Sequence, residues 1–366
     1  MKTTWPRLLK LPGRFEARDI APLVTLALLI VFFSFAGTNF LGPATLTLVL
    51  QQGAVLGIVS VGLTYVLLCA EIDLSVGMMA LWGAASCGWL FENWALGTGG
   101  EGTASAGMIA LVILVPLLSC LALGLLTGVL TVWSRLPSFI ISLAMMFIAE
   151  GLAKYLTQSQ MQSLPSLVKS IGNDGIKSEN VLHWMYSVSG VDLPGLFHSM
   201  GIDMSRFWEG YKLPFSAMLA VVIFLVAHLV LQHTRFGRYV YMTGGNRQSA
   251  RLAGVRTGWI VIACLAICAV TAGLGGIINA GRMTHITLDQ NKDLLLSAVA
   301  CVVLGGTSLF GGEGGIGKTV IGVLTFTVLN VGLIRINWID DLARQLLLGT
   351  VLMAALVING LLAKER

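Results

Sequence analysis

Residues 46–70, LTLVLQQGAVLGIVSVGLTYVLLCA, form a long apolar stretch without a single charged side chain. A helix of about 20 such residues crosses the ~30 Å hydrocarbon core of a bilayer. Across all 366 residues, 56% are hydrophobic and 11% are charged, whereas soluble proteins carry about 25% charged residues. So few charges cannot cover a soluble surface, and the sequence therefore predicts an integral membrane protein and excludes a plain soluble domain.

Nine more apolar stretches predict an all-α polytopic protein with about ten membrane helices. The predicted spans are Ile20–Phe35, Leu46–Ala70, Leu74–Phe91, Met108–Trp133, Ser138–Thr157, Pro214–Leu231, Trp259–Ala280, Leu294–Leu304, Ile316–Ile334 and Leu346–Ala363. Span Leu294–Leu304 is too short to cross ~30 Å at 1.5 Å per residue. It either continues through the glycines that follow or forms a half-helix. Short or glycine-interrupted segments often lie along a transport path, and the alternative is an ordinary buried helix.

Basic residues are concentrated on one side of these predicted spans. Five lie within residues 1–20, and five arginines lie within 232–258, which holds no acidic residue. The loops 37–45 and 92–107 hold no Lys or Arg. Because Lys- and Arg-rich short loops stay in the cytoplasm, both chain termini and the 232–258 loop are predicted to be cytoplasmic. The net charge of +5 thus reflects orientation in the bilayer and not a nucleic-acid partner.

The chain is predicted to form a single transmembrane domain over residues 1–366. Within it, 1–19 is a cytoplasmic N-terminal segment and 158–213 is a long external loop. This loop mixes charges of both signs with aromatic residues. Its amphipathic parts are expected to lie on the membrane surface or to contact a partner protein.

The segment GEGGIGKT at 312–319 matches the P-loop pattern G-x-x-x-x-G-K-[ST] at every position. A nucleotide-binding P-loop also needs a preceding strand, an amphipathic helix and an acidic magnesium ligand on another strand. The residues from Thr319 onward, TVIGVLTFTVLNVGLI, are apolar all round, as in a membrane helix. Asp340 follows too soon to end a second strand. We therefore interpret the match as coincidental and predict that this chain is not an enzyme.

A second motif, EIDLSVG at 71–77, places two carboxylates between the second and third predicted spans. A carboxylate at mid-bilayer costs on the order of 3 kcal/mol, so both are expected at a turn or beside a wet path. In one interpretation, Asp73 or Ser75 caps the next helix by accepting from its free N–H groups. In the other, the polar and small residues of the motif line the translocation path, namely Glu71, Asp73, Ser75 and Gly77. The two interpretations are compatible.

The third motif is the basic loop 232–258, which glycines at 237, 244, 245 and 254 are predicted to break. Residues 247–255 are predicted to form a short helix with Ala250, Leu252 and Ala253 among its apolar residues. Such a helix between glycine turns suits docking to another protein, although a positively charged loop by itself requires no partner.

Together these stretches resemble the membrane permeases of the ribose/xylose-type sugar ABC importer family, from about Ile20 to Leu362. The resemblance is carried by IDLSVG at 72–77, TRFGRYVYMTGGN at 234–246, ARLAGV at 250–255 and VVLGGTSLFGGEGGIG at 302–317. The order and spacing of the four segments make it specific, and no single segment suffices.

The resemblance implies that 232–258 is a cytoplasmic coupling loop that contacts a separate ATPase. The residues assigned to this contact are Arg235, Gly237, Arg238, Gly244, Gly245, Asn246, Ala250, Arg251, Leu252 and Gly254. A glycine-rich turn comprises Gly305, Gly306, Thr307, Ser308, Gly311 and Gly312. The implied partners are a second permease copy, identical or homologous, a cytoplasmic ATP-binding-cassette ATPase, an extracytoplasmic solute-binding protein and a small-molecule sugar. The implied location is the bacterial plasma (inner) membrane.

Within the coupling loop, three finer expectations follow. Arg238 and Arg251 are expected to bind carboxylates of the ATPase through bidentate bonds. Gly245 is expected to hold a backbone angle that a side chain forbids. The patch formed by Ala250, Leu252 and Ala253 is expected to be buried against the ATPase.

Two features depart from the family pattern. Glu71 stands where the family usually has a small residue, which alters the polarity expected there. Position 315 is commonly polar or basic in the family, 317 is bulkier and 318 is a glycine, whereas this chain has Gly315, Gly317 and Lys318. The P-loop match arises from these departures, which supports coincidence.

Other functions stay open at this point. Import of a nucleoside or a branched-chain amino acid is the closest alternative, and IDLSVG favours the sugar branch. An ion-driven transporter needs ionisable residues deep in its spans; the candidates are Glu71, Asp73, Glu150 and Lys154, most of them near span ends. All six cysteines lie in apolar runs and are expected to pack as small apolar residues, so neither a metal nor a cofactor is predicted.

Overall fold

A computed structural model describes residues 17–95, 105–177, 211–286, 291, 293–336, 340, 343–350 and 353. The helices are α1 (Ala17–Ala36), α2 (Pro43–Leu68), α3 (Val76–Leu90), α4 (Ala106–Ser134), α5 (Ser138–Thr157), α6 (Ser166–Asn173), α7 (Phe215–His233), α8 (Arg235–Gly245), α9 (Arg247–Leu252), α10 (Thr257–Met283), α11 (Leu294–Leu304) and α12 (Ile316–Ile334). A π-helical turn, Phe91–Ala95, extends α3, and residues 343–350 are also helical. The strands are β1 (Gly175–Lys177) and β2 (Lys212–Pro214).

Nine of the ten predicted spans coincide with a helix in this structure. The tenth, Leu346–Ala363, lies mostly outside the described residues. Of the described helices, six are long and apolar enough to cross a membrane: α2, α4, α5, α7, α10 and α12. The structure thus supports an α-helical polytopic membrane protein. The lengths of the described helices establish six membrane spans and not ten.

Helix α11 ends at the glycines and does not continue through them. The N–H of Gly305 donates to the Cys301 carbonyl oxygen at 3.0 Å, and Gly306 then leaves the helix with φ of +92°. With 11 residues, α11 is about 16 Å long at 1.5 Å per residue. It is therefore too short to cross a bilayer alone.

Helix α10 forms the centre of the bundle, because it packs against α2, α3 and α4. Close approach is possible because small residues lie at the contacts: Gly276 faces the Ala80 backbone on α3, and Gly62 on α2 faces the Cys268 backbone. Small residues at interfaces are typical of helices that associate in lipid. In the most hydrophobic 18-residue stretch of each helix, 67% of α10 is buried inside the protein but only 22% of α4. Helix α4 therefore lies at the periphery of the bundle.

The two ends of α2 mark two faces of the molecule. At its start, the Thr47 hydroxyl donates to the Lys212 carbonyl oxygen at 3.1 Å. Strands β1 and β2 pair there in antiparallel register, with Ile176 opposite Leu213, a small departure from the all-α prediction. Residues 178–210, most of the predicted external loop, lie outside the described residues. At its other end, α2 terminates beside the sequence motifs.

Candidate functional site

The three sequence motifs meet where α2 ends at Leu68. The N–H of Gly312 donates to the Leu68 carbonyl oxygen at 3.0 Å. Gly244 on α8 approaches the same carbonyl so closely that a Cβ atom at this position would collide with it. The glycine-rich turn and α8 therefore share one backbone group of α2. We call the surface that the motifs form the motif face (residues 69–75, 234–256 and 305–315).

Glu71 is only 8% exposed and forms an ion pair with Arg247, the first residue of α9. The two residues belong to different motifs, 176 positions apart in the chain. A buried charge is costly unless it is paired, so this ion pair explains how a carboxylate is accommodated where the resembling family usually has a small residue. It also ties the α2–α3 turn to the basic loop.

Asp73 is 2% exposed, and its Oδ1 accepts from the Ser75 N–H at 2.9 Å and from the Ser75 hydroxyl at 2.6 Å. These bonds form a turn before α3. Ser75 occupies the N-cap position but makes no side-chain cap bond to the helix, so it is not a capping side chain. Burial raises the pKa of Asp73 above its ordinary value, and the bonds from Ser75 act in the opposite direction.

Helix α5 supports the same turn from its other side. The Ser138 hydroxyl oxygen accepts from the Ile72 N–H, and the Ser142 hydroxyl oxygen accepts from the Leu74 N–H, both at 3.0 Å. Gly77, in the first turn of α3, also lies in close contact, since a Cβ atom there would be 2.9 Å from a backbone oxygen of the α10–α11 connection. The α2–α3 turn is therefore held by several elements, and its role as a path lining stays a prediction.

Helix α8 runs unbroken through three of the glycines that were predicted to interrupt it. It begins after Thr234, whose hydroxyl oxygen accepts from the Gly237 N–H at 3.3 Å. Gly237 is a contact position, because a Cβ atom there would collide with the Leu231 carbonyl oxygen. Of the four glycines, Gly254 alone has a left-handed backbone, with φ of +82°. The prediction of glycine breaks is thus wrong for 237, 244 and 245.

Helix α9 confirms the predicted short helix. The Asn246 side chain caps it by accepting from the Ser249 N–H at 2.9 Å, which is a favourable role for Asn. After the helix, the Val255 N–H donates to the Ala250 carbonyl oxygen at 3.0 Å. Asn246 therefore shapes the loop from within.

Two finer expectations for this loop are wrong, the one for Gly245 entirely and the one for the apolar patch at Ala250. Gly245 lies in α8 without a left-handed backbone, and open space surrounds the position that its Cβ atom would occupy. Ala250 is only 1% exposed and packs inside the protein, whereas Leu252 is 84% exposed. A partner can therefore reach Leu252 but not Ala250.

The arginines of the loop differ in their surroundings. Arg235, Arg238 and Arg251 are exposed. The Arg251 Nε also donates to the Thr257 hydroxyl oxygen at 3.0 Å, which directs this side chain toward the start of α10. Arg235 and Arg238 lie on α8 and face outward, as a contact with a partner requires.

The glycine-rich turn closes onto α8. Gly306, Gly311 and Gly312 all have positive φ. Gly312 has φ of +74°, and a Cβ atom there would lie 2.8 Å from the Gly245 Cα, so both the backbone angle and the close approach require glycine. The Tyr241 hydroxyl of α8 donates to a backbone carbonyl of the same turn at 2.9 Å. The turn is thus docked on α8 at two points.

Two hydrogen bonds and one side chain define the tip of this turn. The Ser308 N–H donates to the Glu313 carbonyl oxygen at 2.9 Å. The Thr307 hydroxyl oxygen accepts from the Gly315 N–H at 3.4 Å. Phe310 is 89% exposed. The turn thus presents a large apolar side chain on the motif face.

The P-loop-like segment lacks the arrangement of a nucleotide site. Helix α11, and not a strand, precedes it. Thr319 stands where a P-loop has its magnesium ligand, but it is fully buried and its hydroxyl oxygen lies 2.7 Å from that of Thr64. The N–H groups of Gly312 and Gly315 donate to other parts of the protein. Two of the N–H groups and the hydroxyl that such a site would use are therefore engaged within the protein.

Several polar residues that support the site were not singled out from the sequence. The Tyr65 hydroxyl donates to the Ala227 carbonyl oxygen at 2.6 Å, and its ring centroid lies 6.0 Å from that of Phe236 on α8. Tyr65 and Tyr241 therefore connect α2, α7, α8 and the glycine-rich turn. The available signal was a tyrosine within a long apolar span.

A polar chain at the far end of α10 was also missed. Arg282 donates to the Asn279 Oδ1 at 3.2 Å, and the Asn279 Nδ2 donates to the Asn291 Oδ1 at 2.9 Å. Polar groups at membrane depth are expensive and are usually functional. Asn279 and Arg282 near the end of an apolar span were a usable signal.

In the described part of the chain, no group of three His, Cys, Asp or Glu side chains is arranged to hold a metal ion. All six cysteines are buried. The candidate site is a surface made of a basic loop, a polar turn and a glycine-rich turn.

Known proteins match the chain along most of its length. The family described as branched-chain amino acid transport system / permease component matches residues 45–356. The ribose import permease protein of Escherichia coli K12 is 30% identical over 343 residues, which cover 92% of each chain. No solved structure matches the chain.

More distant relatives include a second kind of importer. The ribose import permease protein of Bacillus subtilis 168 is 28% identical over 345 residues, covering 93% of this chain and 92% of that protein. The autoinducer 2 import system permease protein of Yersinia pseudotuberculosis IP 31758 is 27% identical over 347 residues, covering 94% and 85%. With the apolar helices, these relatives indicate a multi-pass protein of the bacterial inner membrane. The chain therefore belongs to the family of branched-chain amino acid transport system permease components, the membrane-spanning subunits of bacterial ATP-binding-cassette importers.

Proposed function

We propose that this chain is the permease subunit of an importer that takes up a monosaccharide or a close relative of one. Two permease copies, identical or homologous, enclose the path between them. A separate cytoplasmic ATPase binds and hydrolyses ATP, and a solute-binding protein delivers the sugar from outside. The similarity to ribose import permeases over 92% of the chain supports the sugar over a nucleoside or a branched-chain amino acid.

The observation that carries the coupling role is the convergence of two of the motifs, the glycine-rich turn and the basic loop, on the Leu68 carbonyl oxygen. A partner that moves α8 also moves the end of α2, because the contact at Gly244 leaves no space between them. The Glu71–Arg247 ion pair adds a second link, from α9 to the α2–α3 turn. The motif face is thus mechanically connected to the helices that enclose the core.

The proposed ATPase contact is centred on Leu252 and Phe310. Their exposed fractions are 84% and 89%, and both lie in loops outside the apolar spans, where lipid does not cover them. Exposed large apolar side chains next to polar residues mark protein contact sites. The exposed Arg235 and Arg238 supply a rim that attracts acidic groups of the partner.

Alternating access follows from this arrangement. ATP binding closes the two ATPase subunits and moves the coupling loops. The permease then exchanges between two packed arrangements, one open to each side. Since a partner shifts such an equilibrium only through differential affinity for the two states, the motif face is proposed to fit the ATPase differently in each.

The proposed topology has ten spans, with the motif face and both termini in the cytoplasm. It is supported by the five arginines of 232–258 and by the position of this loop beside 69–75 and 305–315. The six long apolar helices form part of this count, and the others are proposed to be α1, α3, a crossing that includes α11, and the C-terminal residues.

An ion-driven transporter fits the geometry less well. Glu150 and Lys154 form an ion pair one helical turn apart on α5 at 2.6 Å, with side chains 26% and 48% exposed. Glu71 is paired with Arg247. Three of the four candidate ion ligands are therefore engaged in ion pairs and do not form a buried ion site.

Reconstitution tests the proposed function. The chain is placed in proteoliposomes with the ATPase and the binding protein encoded by neighbouring genes, and uptake of labelled ribose is followed. Uptake is expected to need ATP, to resist ionophores and to be reduced by competing xylose more than by a nucleoside or leucine. The purified chain alone is expected to bind no ATP. Uptake that persists without the ATPase but collapses with an ionophore would overturn the proposal.

A further inference from the structure

A cavity of about 760 Å³ opens beside the motif face, between the end of α4 and the start of α10. Four charged residues line it: Arg135, Arg247, Arg251 and Glu71. Three arginines against one glutamate leave an excess of two positive charges. The Glu71 carboxylate is already paired with Arg247, so Arg135 and Arg251 carry this excess. A cavity with this charge favours an anion.

Arg135 is held in a conformation that arginine rarely adopts. It ends α4 with φ of 58° and ψ of 17°, the left-handed region that glycine or asparagine normally occupies at such a position. Its side chain is exposed and has no hydrogen-bond or ion-pair partner among the residues that the structure describes. Here the guanidinium lines the cavity and is available to a ligand.

The cavity lies where an apolar, peripheral surface ends. Trp133 on α4 is 80% exposed and Trp259 on α10 is 67% exposed, each adjacent in sequence to a residue of the cavity wall. Tryptophan is enriched at the headgroup level of bilayers. Along α4, the exposed Val129 and the adjoining Leu136 continue the apolar surface. The charged cavity is thus placed at headgroup depth with apolar surface beside it.

We infer that this cavity binds the phosphate of an anionic phospholipid headgroup in the cytoplasmic leaflet. Arginine binds phosphate oxygens through paired N–H bonds, and basic pockets between membrane helices on the cytoplasmic side are typical sites for anionic lipids. The first turn of α10, a helix of 27 residues, adds the positive end of its dipole. Free phosphate offers the same oxygen atoms to the arginines but leaves the apolar surface beside the cavity uncovered. The acyl chains of a phospholipid cover that surface.

The inference rests on the proposed function in one respect, the cytoplasmic orientation of the motif face. A headgroup in the cavity bridges Arg135, on the α4–α5 connection, and Arg251, on α9. The lipid thereby holds the coupling loop against the bundle. It would set the position from which the loop meets the ATPase.

Lipid binding is measured on the full chain, purified in a neutral detergent without the ATPase. Phosphatidylglycerol, phosphatidylcholine and inorganic phosphate are titrated separately. Bound lipid is counted by native mass spectrometry, and the thermal unfolding temperature is recorded. Phosphatidylglycerol is expected to bind and to raise the unfolding temperature, and the other two are not. Equal effects of phosphatidylglycerol and phosphatidylcholine, or of phosphate alone, would overturn the inference.

The decisive comparison is Arg135→Asn against Arg256→Asn. Asparagine tolerates the left-handed backbone. In the absence of lipid, the Arg135→Asn variant should therefore fold and should have the same unfolding temperature as the native chain. Its affinity for phosphatidylglycerol is expected to fall at least about tenfold, since one charge-assisted contact is lost. Arg256 is exposed, one residue before α10, and does not line the cavity. Its replacement should leave the affinity within about twofold.

Three results would contradict the lipid site. The first is that both variants bind phosphatidylglycerol as the native chain does. The second is that both lose it equally, which indicates a non-specific charge effect. The third is that Arg135→Asn loses co-purification with the ATPase while lipid binding is unchanged, which makes the cavity a protein contact. Failure of the proposed transport function would appear separately, as absent ATP-dependent uptake by proteoliposomes, and leaves these binding measurements intact.

Discussion

At the scale of residues, charge on the motif face is stabilised by local partners. Glu71 pairs with Arg247, and Asp73 accepts two hydrogen bonds from Ser75. A polar turn at 71–75 was predictable, because its carboxylates interrupt two apolar runs. The ion pair was not predictable, because its partners lie 176 positions apart and no local pattern connects them.

Breaking this ion pair is expected to destabilise the motif face. Glu71→Gln leaves the Arg247 guanidinium beside a neutral group and should lower the free energy of unfolding by about 1–3 kcal/mol. The exchange of Glu71→Arg together with Arg247→Glu restores an ion pair and should recover part of this loss. Thermal unfolding of the purified variants checks both. A double variant whose loss equals the sum of the two single losses would show that the residues do not interact.

Asp73→Asn removes the charge but keeps the turn, because Asn has the Oδ1 that accepts from Ser75. Burial raises the pKa of Asp73 above its unfolded value. The folded chain therefore binds the carboxyl proton more tightly than the unfolded chain does. As the pH rises from the unfolded pKa to the folded pKa of this group, ionising the carboxyl costs stability. Asn removes this cost, so the variant should be at least as stable as the native protein at pH 7. If a stably folded variant loses uptake, the charge serves transport and a purely structural turn is contradicted.

At the scale of elements, helices were predictable and their contacts were not. Hydropathy over about 20 residues locates the spans without knowledge of neighbours, and α9 was predicted in the same way. The glycines of α8 were misinterpreted as breaks, because a sequence shows a glycine but not the backbone that approaches it. In the structure, Gly244 is the point where α8 contacts α2, whereas Gly254 forms a left-handed turn.

Gly244→Ala and Gly245→Ala form a matched pair on the last turn of α8. The first places a Cβ atom against the Leu68 carbonyl oxygen, and the second places it in open space. Gly244→Ala should therefore displace α8 and reduce ATP-coupled uptake. Gly245→Ala should be neutral or slightly stabilising, because alanine favours helix by up to ~1 kcal/mol over glycine. Unfolding temperature and uptake are measured for both, and equal behaviour would contradict the packing described for α8.

At the scale of the whole molecule, the ends of α2 define two faces, and the distribution of Lys and Arg predicts which of them is cytoplasmic. Neither hydropathy nor helix length contains this information, since both are symmetric about the bilayer. The short helix α11 shows a further limit: the sequence left open whether it continues through the glycines, because its termination at Gly305 depends on packing against α12.

Labelling of single cysteines tests this orientation. Gln160→Cys and Ala253→Cys place exposed thiols on opposite faces, and the six native cysteines are buried, so background labelling should be low. In intact cells stripped of their outer membrane, an impermeant thiol reagent should label the first variant and should label the second only after the membrane is opened. The reverse pattern would invert the proposed topology.

We propose that the ATPase docks on the motif face, and co-purification of the ATPase with variants of this face tests the proposal. Leu252→Asp combined with Phe310→Asp places charges on two exposed side chains without disturbing the buried contacts at Gly244. The control is Met161→Asp, because Met161 is 69% exposed beside the Gln162–Ile286 bridge on the opposite face. The double variant is expected to insert normally but to lose the ATPase, while the control retains it. Full retention of the ATPase by the double variant would show that the ATPase docks elsewhere.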